Sequence, residues 1–90
     1  MTTEITTKSG FRYTIDEDAM DDMELLTDLT ALDKGDTTAL PSVIDRLLGS
    51  EGRAALYEHI RTSSGRVPIT KAVEELSDII EGLKDTRSKK

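Results

Sequence analysis

The sequence predicts a mainly α fold: a small bundle of about four short helices with an N-terminal β-hairpin. Three observations carry that reading. The stretch Thr38 to Arg61, TALPSVIDRLLGSEGRAALYEHIR, repeats apolar residues at helical spacing on both sides of Gly49-Ser50. Ile69, Ala72, Val73, Leu76, Ile79, Ile80 and Leu83 trace a second, cleaner helical stripe. Near the N-terminus the period changes to two, with Phe11, Tyr13 and Ile15 alternating with Arg12 and Thr14. At 90 residues the chain has the length of one domain. Its expected organisation is a hairpin over 1–15, a helical region over 16–84 and a solvated tail over 85–90.

Taken in order, Thr2 to Thr7 and Phe11 to Ile15 are β-branched or aromatic in character and flank Lys8-Ser9-Gly10, a turn signal. Ile5 supplies the apolar partner for the second strand. Helix one is expected to begin near Asp16. A short acid there accepts hydrogen bonds from free backbone N–H groups, and Ile15 and Met20 bracket it as a hydrophobic staple. Acids fill its first turns, where the helix dipole favours negative charge. Its expected apolar face is Ala19, Met23, Leu26, Leu29 and Leu32, widened by Met20 and Leu25, and Gly35 is the stop.

Helix two is expected from Thr38, its cap, to Leu48, with Pro41 tolerated in the first turn and Gly49 as terminator. Ser50 is the expected cap of helix three, running to about Thr62. Gly52 within its first turn points to a loose start or a close helix approach. Ser63-Ser64-Gly65 reads as a loop and Val67-Pro68-Ile69 as extended chain. Thr70 is the expected cap of helix four, whose polar side carries Glu74, Glu75, Asp78 and Glu81.

The formal net charge is −6, and residues 1–50 hold eleven acids against four bases. That balance argues against a nucleic-acid backbone as ligand, because phosphate contacts need clustered Lys and Arg. There is no cysteine, which removes disulfides, thiol catalysis and cysteine-based zinc sites. No apolar run approaches membrane-spanning length, and MTTEITTKSG lacks the apolar centre of a signal peptide. The cytoplasm is the expected location and no membrane the expected partner.

Nothing in the residues points to an enzyme. His59 is the only histidine, no Ser/His/Asp set suggests itself, and no glycine-rich loop matches a phosphate-binding signature. The run IDEDAMDDMELLTD lacks the spacing, the central glycine and the final glutamate of a calcium loop, so no metal and no cofactor are expected. Its acids form a solvated face or, on the functional reading, a docking face for a basic partner. Asp18, Asp21, Asp22 and Asp28 are the electrostatic candidates for such a contact. Leu47, Leu48, Tyr57 and Ile60 are the apolar candidates, since four short amphipathic helices leave an apolar strip uncovered more readily than a larger domain does.

The order of features resembles the tail assembly chaperones of long-tailed phages and prophages. The likeness covers residues 10–83: FRYTIDEDAMDDMELL, the turn Gly35-Asp36, ALPSVIDRLLG, a helix around LYEHIR, then GRVPITKAVEELSDIIEGL. Its most specific parts are DDMELL, LLG and GRVP, which set a fold and carry no catalytic signature. The resemblance implies a chaperone that binds and solubilises the tape measure protein, helps recruit tail tube subunits and is missing from the mature virion. It also implies self-association and a longer frameshifted form, with which Ser88-Lys89-Lys90 is compatible. The alternative is a small head-tail connector or other morphogenesis protein kept in the virion. An acidic mimic of DNA comes after it.

Overall fold

The computed structural model describes residues 2–88. Two strands, β1 (Thr2–Thr6) and β2 (Arg12–Asp16), pair antiparallel with Ile5 opposite Tyr13 and Thr3 opposite Ile15. Alternation then sends Ile5, Thr7, Phe11 and Ile15 inward, where all four are buried. The Thr7 N–H bonds the Phe11 carbonyl at 2.9 Å and closes the predicted turn. The sheet is too small to stand alone, and its inner face lies on the helices.

Three α-helices follow: α1 (Met23–Asp33), α2 (Leu40–Ile60) and α3 (Ile69–Ser88). The expectation of about four is off by one. The predicted second and third helices are a single run, yet its backbone leaves helical geometry at Gly49 (φ 78°, ψ 170°). Glycine takes that conformation without the steric cost other residues meet. The break brings the next turn close: a Cβ added at Gly52 would lie 2.6 Å from Leu48 Cβ and 2.8 Å from Tyr13 Cε2. Gly52 thus marks a close approach of helix to hairpin, one of its two sequence readings.

The start of helix one differs from expectation. Asp16 does accept a bond, from the Asp18 N–H at 3.0 Å, but it opens only a 3-10 turn (Glu17–Met20). Asp22 is extended and caps α1 proper, accepting from the Glu24 N–H at 2.9 Å. A run of aspartates offers several competing caps, and the chain uses two of them. The face is also rotated. Leu25 is the buried residue, with Leu29 and Leu32 packed against the core, whereas Met23 and Leu26 face solvent at 74% and 54% exposure.

Smaller shifts follow the same logic. Asp36, not Thr38, caps a 3-10 turn (Thr37–Ala39) that leads into α2. α2 stops at Ile60 with Arg61 extended, and α3 opens at Ile69 rather than after Thr70. α3 runs through Ser88, so the expected tail begins inside its last turns; Lys89 and Lys90 lie outside the described residues.

The core joins all elements. Val43, Ile44, Leu47 and Leu48 of α2 meet Leu25 of α1, the inner face of the hairpin, and Ala72, Leu76, Ile79 and Leu83 of α3. Gly82 allows α3 to lie against Ile5, whose Cγ2 would be 3.0 Å from a Cβ there. The three motif segments hold this frame together: Asp22 in DDMELL caps α1, Gly49 in LLG breaks α2, and Gly65 in GRVP turns the loop with φ 90°.

Candidate partner-binding surfaces

The electrostatic candidates divide into two pairs. Asp18 and Asp21 are exposed, but they precede α1, in the 3-10 turn and its exit, and so do not extend a helix face. Asp22 and Asp28 are drawn inward by α2. Arg46 donates from Nε to Asp28 Oδ2 at 3.1 Å and from Nη1 to Glu24 Oε1 at 3.1 Å, and its Nη1 lies 3.8 Å from Asp22. The Ser42 hydroxyl adds a 2.6 Å bond to the same Asp28 oxygen. One guanidinium thus stitches α2 to three acids of the α1 region.

This pairing moves the titration of both partners. The Ser42 bond, helped by the hydrogen bond and charge of Arg46, outweighs desolvation and holds the Asp28 carboxyl below its ordinary value of 3.8. The Asp28 bond and the charges of Glu24, Asp22 and Asp28 push Arg46 further up. Asp28 serves chiefly to fasten α1 to α2.

The apolar candidates also divide. Leu47 and Leu48 are core residues, 5% and 7% exposed, and offer nothing to a partner. The reason is that α2 packs against α1, β2 and α3 together. Tyr57 and Ile60 are half-buried. Tyr57 lines a cleft of about 260 Å³ with Leu40, Pro41, Val67 and Ile69, and the Arg53 guanidinium lies 6.0 Å from its ring centre. Ile60 lines a separate hollow with His59, Lys71 and Glu74.

Sequence reasoning missed the residues that are most open. Met23 and Leu26 share one side of α1 with Thr27, Thr30, Ala31 and Lys34, in a shallow trough. Ile69 and Val73, one turn apart on α3, are 60% and 39% exposed. The sequence places Met23 and Leu26 on the apolar face of helix one, and Ile69 and Val73 on the apolar stripe of helix four. The available signal was the width of those stripes: α1 is apolar at Met23, Leu25, Leu26, Leu29 and Leu32, more than a half-buried helix hides.

A chain of polar contacts joins the hairpin turn to the helices. The Thr7 hydroxyl donates to Glu75 Oε1 at 2.7 Å and accepts the Phe11 N–H at 3.2 Å. Its one proton is then committed, so the Ser9 hydroxyl, 3.1 Å away, donates to it. Ser9 Oγ in turn lies 3.0 Å from His59 Nε2. The Ser9–His59 contact joins the turn to α2, and Phe11 packs on the same imidazole at 5.4 Å between ring centres. Glu75, expected on the polar side of its helix, is 5% exposed because it meets this network.

Among the described residues, no group of three or more His, Asp or Glu side chains is placed to hold a metal, and no helix is long and apolar enough to cross a membrane. Asp18, Asp21 and Asp33 form no ion pair among the described residues. The arrangement is suited to contact: exposed apolar side chains next to uncompensated carboxylates. No protein-family model, curated protein or solved structure matches the chain.

Proposed function

We propose that this chain is a tail assembly chaperone of long-tailed phages. It binds and solubilises the tape measure protein and helps bring tail tube subunits to it. It transforms no substrate, works in the cytoplasm of the bacterial host and is left out of the finished virion. The observation that supports this reading is the pair of open apolar surfaces, Met23–Leu26 on α1 and Ile69–Val73 on α3, on a chain of net charge −6. A holdase needs apolar side chains that reach a client, and a surplus of one charge that keeps the complex soluble. The resemblance over residues 10–83 supplies the identity of the client.

Mass spectrometry of purified virions from a phage carrying this gene separates a chaperone from a connector. The tail and head proteins are expected without this chain. Recovery of the chain in stoichiometric amount would replace the chaperone with a structural connector.

A further inference from the structure

We propose that the exposed strip of α1 is the docking site for one kind of partner, an amphipathic helix whose apolar stripe is flanked by lysines or arginines. This deepens the function proposed above and rests on it only for the identity of the natural client. The strip is formed by Met23, Leu26, Thr27, Thr30 and Ala31, with the stem of Lys34 at its end. Its centre is made of small side chains, so a second helix can come close there, while Met23 and Leu26 give it an apolar end.

Charge selects the occupant. With the 100° step of an α-helix, Glu24 and Asp33 stand about a quarter-turn to either side of the strip's centre. Glu24 is 76% exposed even though Arg46 touches it, and Asp33 is exposed. Residues 16–34 carry eight acids and one base, Lys34 at the end of the strip, and Arg46 pairs with three of those acids. A helix lying on Met23 and Leu26 would therefore meet one carboxylate on each edge, Glu24 near one end of the strip and Asp33 near the other. Cationic edges complement that rim and are steered to it from a distance. A second copy of this chain is disfavoured by net charge, because it would bring a further −6.

The probe is a labelled synthetic helix of about eighteen residues made of Leu and Lys, long enough to fold on a surface. A Leu/Glu helix of the same pattern is its control. Fluorescence anisotropy with the full chain should show binding of the first and none of the second. The double variant Met23→Ser with Leu26→Ser keeps the net charge and changes only exposed side chains. It should bind the Leu/Lys helix about tenfold more weakly. Ile69→Ser with Val73→Ser should bind as the parent does. Thr30→Arg, at the middle of the strip, is a second route to the same loss, and circular dichroism checks that each variant is folded. Equal binding by the parent and Met23→Ser/Leu26→Ser would mean diffuse charge attraction and overturn the proposal. So would binding of the Leu/Glu helix, loss confined to the α3 variant, or a parent dimer in sedimentation that Met23→Ser/Leu26→Ser abolishes. The virion experiment reads a different property, so either idea can fail while the other stands.

Discussion

The Thr7 hydroxyl donates to the Glu75 carboxylate over 2.7 Å, and the two residues are 4% and 5% exposed. Sixty-eight positions separate them in the chain, so this one bond ties the hairpin turn to the second turn of α3. A buried carboxylate that keeps its donor costs little; one that loses it is expensive. Thr7→Val keeps the shape, removes that donor, and leaves the Phe11 N–H without the acceptor it uses at 3.2 Å. The variant should lose about 2–3 kcal/mol of stability in urea unfolding. Ser9→Ala, at an exposed position, should lose under about 1 kcal/mol.

Acid should act through Asp28. Its carboxyl is held below 3.8 in the fold, the case in which a deprotonated group stabilises the native state. The contribution is therefore fully present above the ordinary carboxylate value and is lost as the pH falls through the lower folded value. Thermal unfolding of the parent and of Asp28→Asn, followed from neutral to strongly acidic pH, should differ most near neutrality. The two curves should converge at the acid end. A constant gap across the range would show that Asp28 acts by packing alone.

Leu47 and Met23 should respond in opposite ways. Leu47 is 5% exposed within the core, so Leu47→Ala should cost about 2–5 kcal/mol in chemical unfolding. Met23 is 74% exposed, and Met23→Ser should stay within about 0.5 kcal/mol of the parent. A client-binding defect confined to Met23→Ser, with stability unchanged, is the signature of a surface used for contact.

The parts of the fold written in local pattern were legible in the sequence. The period-two alternation of Phe11, Tyr13 and Ile15 placed the hairpin, and the stripe from Ala72 to Leu83 placed α3. Gly49 reads as a helix terminator, and it is where the backbone of α2 breaks. Gly52 reads as a loose start or a close approach, and Tyr13 packs on it.

What was not legible depends on neighbours distant in the chain. α1 has apolar residues at Met23, Leu25, Leu26, Leu29 and Leu32, so periodicity alone could not say which side faces α2. In the sequence, helix one reads as starting near Asp16, and the folded chain selects Asp22 as the cap of α1 instead. Leu47 and Leu48 read as available because nothing local reveals that α1, β2 and α3 all pack on α2. Glu75 read as solvated because its partner, Thr7, belongs to the opposite end of the sequence. Thr7 itself was a weak signal, a hydroxyl on the inward side of the hairpin next in register after Ile5.

The most direct measurement is co-expression of this chain with the long coiled-coil tape measure protein of the same phage, scoring how much of the latter stays in the soluble fraction. A shift from pellet to supernatant is expected, with the two proteins co-purifying and Met23→Ser/Leu26→Ser reducing both effects. A tape measure protein that is equally insoluble with and without this chain would contradict the assignment.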